Sequence, residues 1–243
     1  MNDERTAGPG TFKHGRAEGS AMNGDDGPNP SPIDRLRDAL HEFWTTRNGP
    51  VMVIRELLVS VATVAVIGLL LFSLAGVWPP MVAVESGSME PNMHKGDLVF
   101  VAEPGRYVPG EAATEGVVTL ETGEEVQYRS FGDYGSVVIY ERLYAGSPVI
   151  HRAHFYVEEG ENWYDEANES YISATHCGET PDEGLPNCPA PNAGFITKGD
   201  NNPSYDQVMG IAREPVPRSR IIGTAQVRVP YLGYVRLWLS GKA

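Results

Sequence analysis

The spacing of apolar and polar positions changes character three times along the chain. Positions 1–32 are rich in Gly, Pro, Asn and Asp and poor in apolar residues, which predicts a disordered segment without a core. Over 33–46, Leu36, Leu40 and Phe43 or Trp44 recur at helical spacing and predict a short amphipathic helix. A membrane-surface role and a plain surface helix fit that pattern equally. Positions 57–78 then form 22 residues without a charge, dominated by Leu, Val, Ile, Ala and Phe. At about 1.5 Å per residue a helix there spans ~33 Å, against a hydrocarbon thickness of roughly 30 Å. Pro79-Pro80 predicts a clean stop, and Trp78 suits the membrane–water interface. The reading is a retained anchor. A cleaved signal peptide would have a shorter apolar run and fewer residues ahead of it; a buried core helix is the other alternative.

Past Pro80 the apolar runs shorten, favour Val, Ile, Tyr and Phe, and are bounded by Gly, Pro, Asp or Asn. Strands are expected at 81–84, 98–102, 116–120, 137–143, 149–157, 195–197 and 224–231, with no long amphipathic helix between them. The fold class is mainly β: one membrane helix followed by an all-β domain, a barrel or a sandwich. Positions 227–239 contain Arg228, Pro230, Gly233 and Arg236 and are too interrupted to cross a bilayer. They read as a last strand and helix packed on the domain, with a peripheral bilayer contact through Tyr231, Tyr234 and Trp238 as the alternative.

Charge narrows the function classes. The formal net charge is −13, and the basic residues are 4 Lys and 15 Arg. Nucleic-acid binding needs a basic face and is not expected. An acidic, lysine-poor surface suits a protein adapted to high salt, where screening relieves self-repulsion. Positions 158–192 hold nine carboxylates and no Lys or Arg. No EF-hand spacing accompanies them, so a solvated acidic loop is expected rather than a calcium site. Arg35, Arg37, Arg47 and Arg55 precede the apolar segment, while the first basic residues after it are Lys95 and Arg106. That bias sets the N-terminus in the cytoplasm and everything after Pro79 outside it. The two cysteines, Cys177 and Cys188, are too far apart for a two-residue redox motif and too few for a zinc site. In an extracytoplasmic domain they are expected to form a disulfide across the acidic loop.

Eight residues beyond the apolar segment stands Ser86-Gly87-Ser88-Met89-Glu90-Pro91. A serine hydroxyl there is a candidate nucleophile just above a membrane surface, and it needs a base to take its proton and a third group to orient that base. Two segments offer them: Val149-Ile150-His151-Arg152, and Lys198-Gly199-Asp200-Asn201-Asn202 with Asp206 beyond. Each alone is a weak signal; His151 in an apolar strand is more often structural. In order, behind an anchor and together with Lys95-Gly96-Asp97-Leu98-Val99, they are specific.

This set resembles the type I signal peptidases of the archaeal and endoplasmic-reticulum kind, over roughly 57–157 and 195–235. The resemblance implies Ser88 as nucleophile, His151 as general base, and Asp200 and Asp206 as the family's two aspartates. Asp206 is favoured to orient His151 in a Ser-His-Asp triad, with Asp200 in support. Ser86 would lend its hydroxyl to the oxyanion hole beside the Ser88 amide. A Ser-Lys dyad using Lys198 is the rival arrangement, and His94, His154 and His176 are rival bases. The implied domains are a cytoplasmic tail over 1–56, an anchor over 57–78, and an extracytoplasmic catalytic domain over 79–243 with an acidic insertion at about 158–192. The implied partners are secretory preproteins, the lipid bilayer of the cell membrane and the translocation machinery, with no metal or organic cofactor. A non-catalytic anchored β-domain that binds secreted chains, and a related serine protease with another substrate, are the competing readings.

Overall fold

The computed structural model describes residues 31–47, 49–143, 146–178 and 184–241. The disordered tail expected over 1–32 lies, up to position 30, outside the described residues, as do Lys13, Lys242 and the acidic-loop residues Glu179, Asp182 and Glu183.

In the N-terminal unit, 1–61, helix α1 runs Pro32–Thr45. Ser31 caps it: its hydroxyl accepts from the Asp34 N–H at 3.2 Å while Asp34 accepts from the Ser31 N–H at 3.2 Å, satisfying two groups that the helix itself leaves unpaired. Its apolar stripe of Ile33, Leu36, Leu40 and Trp44 is exposed.

Helix α2, Gly49–Ala75, is long and apolar enough to cross a membrane, and none of its most apolar window is buried within the structure. The buried-core alternative therefore fails. The helix also ends earlier than the Pro79-Pro80 stop expected. Gly76 turns left-handed at φ 72°, a conformation glycine adopts freely, and its N–H closes on the Phe72 carbonyl at 2.8 Å. Of the last carbonyls, which lack helical partners, Leu74 accepts from the Tyr107 hydroxyl at 2.9 Å and Ala75 from the Glu103 N–H at 2.8 Å. Arg106 bonds the Ser73 carbonyl.

In the larger unit, 62–243, the described residues form eight strands: β1 Met81–Ala83, β2 Leu98–Ala102, β3 Arg129–Ser130, β4 Asp133–Tyr134, β5 Val137–Tyr140, β6 Val149–Val157, β7 Gly194–Lys198 and β8 Ile221–Val229. Six join one antiparallel sheet in the order β1-β2-β8-β5-β6-β7, and β3 and β4 form a small hairpin. The expected barrel or sandwich is thus a single sheet with β1 and β7 at its ends. It is irregular where the register shifts at Phe100/Val101, Ile139/Tyr140 and Ala153/Phe155.

Strand β5 explains the core. Its Val137 and Ile139 join a cluster with Val84, Met89, Met93 and Val99, whereas Val138 and Tyr140 join another with Val117, Phe195 and Val216. Alternate side chains face opposite ways, so a strand covered on both faces reads as an unbroken apolar run.

Two further expectations need correction. The run 116–120 is not a strand. Val117 and Val118 are buried, but Thr119 accepts the Thr122 N–H at 3.2 Å and so caps helix α3, Leu120–Val126. The acidic stretch is not merely a solvated loop. Its Trp163, Leu185, Cys188 and Ala190 are buried against Phe155, Ile196 and Tyr205. Its backbone grips Tyr205: the Asn168 N–H donates to the Tyr205 hydroxyl at 3.2 Å, and the Tyr205 N–H to the Tyr171 carbonyl at 3.4 Å. Cys177 and Cys188 are disulfide-bonded. Tyr205 in turn precedes helix α4, Asp206–Met209. A last helix, α5 Gly233–Leu239, packs on β1 and β2, as expected for the C-terminal run.

Candidate active site

The loop after β1 carries Ser88 and is pinned from two sides. Met89 beside it is 1% exposed and sits in the core. The Asn201 N–H donates to the Ser88 carbonyl at 2.9 Å, and the Asn201 amide to the Gly87 carbonyl at 3.2 Å. The two loops approach so closely that a Cβ on Gly199 would stand 2.7 Å from the Ser88 carbonyl oxygen and 2.9 Å from His151 Nε2. Only glycine fits there.

His151 reaches the site from β6. Its Nε2 lies 3.0 Å from Ser88 Oγ, and its Nδ1 lies 2.7 Å from Asp206 Oδ2. A proton on Nδ1 donated to the carboxylate leaves the Nε2 lone pair facing the serine hydroxyl. Asp206 is fully buried, and the same Oδ2 accepts from the Tyr140 hydroxyl at 2.9 Å and the Thr197 hydroxyl at 2.6 Å. Burial, and then the Asp206 charge, pushes the Tyr140 phenol well above its ordinary value, so it stays a donor. The Ser86 hydroxyl lies 3.2 Å from that of Ser88.

Arg152, one residue on, faces the other way along the strand, as period-two alternation requires. It is fully buried and holds Asp200 through Nε–Oδ1 at 2.9 Å and Nη2–Oδ2 at 2.8 Å. Its Nη1 also donates to the Ser130 and Tyr134 carbonyls at 2.9 and 3.0 Å, tying the β3–β4 hairpin to the Asp200 turn. Asn92 adds a bond to Asp200 at 2.8 Å.

The rival bases lie elsewhere. Lys198 Nζ donates to its neighbour's carbonyl, Gly199 O, at 3.0 Å and sits 4.4 Å over the Tyr171 ring, and burial pushes its ammonium down. His154 is packed edge-on against Tyr171 and Tyr205. Burial, and then the Lys198 and Arg152 charges, lowers it to about 4. His94 lies near Arg228, and His176 near Thr175. Asp97, in the Lys95-Gly96-Asp97 stretch, is structural: burial pushes its carboxyl up, but the His94 N–H and Arg228 outweigh this and hold it below the usual range.

No protein-family model matches the chain. Curated relatives do. Signal peptidase complex catalytic subunit SEC11 of Paracoccidioides brasiliensis is 29% identical over 163 residues, 66% of this chain and 66% of the relative. SEC11 of Lachancea thermotolerans is 25% identical over 163 residues, again 66% of each chain. That of Schizosaccharomyces pombe is 27% identical over 169 residues, 66% of this chain and 67% of the relative. The chain is thus similar, over about two thirds of its length, to signal peptidase complex catalytic subunits. It spans about two thirds of the length of these curated relatives.

Beside Ser88 and His151 runs a cleft of about 840 Å³. Ser86, Ser88 and His151 open into it, Val82–Val84 form one wall, and Ile139, Ile150 and Ile222 line the interior. Among the described residues no group of three or more His, Cys, Asp or Glu side chains converges as a metal site would. Sequence reasoning missed Tyr140 and Thr197, which sit in apolar strands with nothing to mark them, and gave Gly199 and Asn201 no role although both lie within the quoted motif. For Asn201 the signal was an amide side chain in a turn, free to bond backbone on another loop.

Proposed function

We propose that the chain is a membrane-anchored serine endopeptidase that removes signal peptides from exported preproteins at sites with small residues. The observation that carries this reading is the continuous contact from Ser88 through His151 to Asp206 at the mouth of a cleft, in a chain related to signal peptidase catalytic subunits. His151 Nε2 takes the Ser88 proton as Oγ attacks the scissile carbonyl. The Ser88 amide and the Ser86 hydroxyl hold the oxyanion. His151 then gives the proton to the leaving amine, and a water, activated by the same nitrogen, releases the signal peptide from the serine. Asp206 fixes the tautomer and stabilises the imidazolium. The substrate lies extended against β1, bonded through its main chain, with small pockets selecting its side chains.

In this reading α2 anchors the protein in the cell membrane, the N-terminus is cytoplasmic, and the β domain meets chains emerging from the translocation machinery. The acidic, lysine-poor composition supports a salt-adapted protein of the archaeal branch, in which histidine also serves as base. A domain that only binds secreted chains has no use for a nucleophile, base and carboxylate in register. The test is to incubate the detergent-purified full chain with a preprotein and read the new N-terminus by mass spectrometry. Cleavage after a small residue at the signal-peptide junction is expected; an intact preprotein refutes the proposal.

A further inference from the structure

Strand β1 is an end strand, and one of its edges borders the cleft. On its paired edge, the Val84 N–H bonds Asp97 O at 2.9 Å, Val84 O accepts from the Gly96 N–H at 2.9 Å, and Pro80 O accepts from the Val101 N–H at 2.9 Å. Backbone groups alternate in direction along a strand, so those of Met81, Ala83 and Glu85 are directed to the open edge. The Met81 carbonyl is held from α5. The Arg236 guanidinium donates through Nη1 to the Met81 carbonyl.

Packing sets Arg236 there. It lies on α5, whose Leu237 is 2% exposed, and Gly233 runs so close to the β1–β2 turn that a Cβ would stand 2.4 Å from the Asp97 carbonyl oxygen. Arg236 itself is exposed and lines the cleft.

The two ends of the open edge differ. Ser88 lies beyond one end; at the other, Met81 leads back through Pro79-Pro80 to the end of α2. On the signal-peptidase reading, on which this step rests, the substrate's apolar part stays in the bilayer and its scissile bond reaches Ser88. The residues before that bond then run back past Glu85 and Ala83 towards Met81, where pairing meets Arg236. We infer that Arg236 is a specificity-determining residue: it ends main-chain pairing at Met81 and sets a positive charge against the substrate residue leaving the edge, so that a basic residue there is rejected. Rejection by a like charge is selection against the wrong partner rather than tighter binding of the right one. At about 3.3 Å per residue, the path from Glu85 to Met81 covers ~13 Å, which puts the facing substrate residue about four to seven positions before the scissile bond.

The experiment uses the full chain in detergent and a preprotein carrying Ala, Lys or Glu in turn at each of about eight positions before the scissile bond. The readout is the ratio of kcat/KM for the Lys or Glu form to that for the Ala form, within each enzyme. The wild type is expected to show a Lys penalty of about tenfold or more peaking within that window, with no such penalty for Glu. Arg236→Gln should reduce the peak to within about threefold, and Arg236→Lys should keep it. A flat Lys scan in the wild type, an equal penalty for Glu, or an unchanged peak in Arg236→Gln overturns the inference while the peptidase reading stands. The wild-type scan decides the matter even where Arg236→Gln does not fold. Failure of the wild type to cleave the Ala form refutes the peptidase reading, and this inference falls with it.

Discussion

Arg152 grips Asp200 with two parallel hydrogen bonds, and both side chains are largely shielded from solvent, at 1% and 9% exposure. That pairing commits Asp200 to the turn and leaves Asp206 as the carboxylate against His151.

The two aspartates should therefore fail differently. Asp206→Asn keeps the shape but favours the wrong histidine tautomer, and should lower kcat about 10⁴-fold with little change in stability. Asp200→Asn leaves a buried guanidinium without its counter-ion and should cost about 3 kcal/mol of stability. Denaturation curves and kcat for both variants check this; a larger kcat loss in Asp200→Asn than in Asp206→Asn would reverse the assignment.

Lys198 and His151 separate in the same way. His151→Ala should be nearly as inactive as a variant lacking the serine, because the residues act as a unit. Lys198→Ala loses a cation over Tyr171 and a bond to Gly199 but no proton acceptor at Ser88, so it should retain far more activity. Steady-state rates of the two variants decide it, and the opposite order of damage would support the Ser-Lys arrangement.

Much of this was legible in the sequence, and the reasons are local. The apolar segment, the six sheet strands and the Ser88, His151 and Asp206 motifs announce themselves by period or by residue type at a fixed place. Two boundaries differ by three positions: β5 ends at Tyr140 rather than 143, and β8 begins at Ile221 rather than 224, since Ile221 and Ile222 continue the apolar run. Pro79-Pro80 is a louder stop signal than Gly76, which turns the chain directly after Ala75. Val117 and Val118 make the run through Thr119 look like a strand and mask a cap whose evidence is one hydrogen bond. The donors Tyr140 and Thr197 lie 66 and 9 positions from Asp206, and only the sheet brings all three together. The packed core inside the acidic stretch was hidden because its apolar residues are scattered among carboxylates.

Buried His154 gives a pH signature of stability. Its folded value of about 4 lies below the ordinary 6.5, so the unfolded chain takes up the proton first as pH falls. Its contribution is present above pH 6.5 and is lost as pH drops towards 4, by about 3 kcal/mol at most. His154→Phe should flatten that part of the stability profile. Urea titrations at a series of pH values between about 7 and 4 measure it, and an equally steep decline in the variant would assign the loss to other groups.

Salt should stabilise the protein. Burial and then Glu161 and Glu121 push the Glu166 carboxyl up, and burial and then Glu124 and Glu125 push up that of Glu121, so the carboxylates crowd one another. Raising salt from ~0.1 M to above 1 M shortens the screening length from about 10 Å to about 3 Å. Thermal melts across a KCl series should show Tm rising into the molar range; a flat or falling Tm would remove the salt-adaptation reading and leave the peptidase reading untouched.

The most direct test of the central claim is the rate of preprotein cleavage by Ser88→Ala beside that of the wild type, in detergent, with folding checked by circular dichroism. The account predicts a folded Ser88→Ala protein whose cleavage is lower by about 10⁶-fold, in practice undetectable. Cleavage at a near-normal rate by folded Ser88→Ala would contradict it.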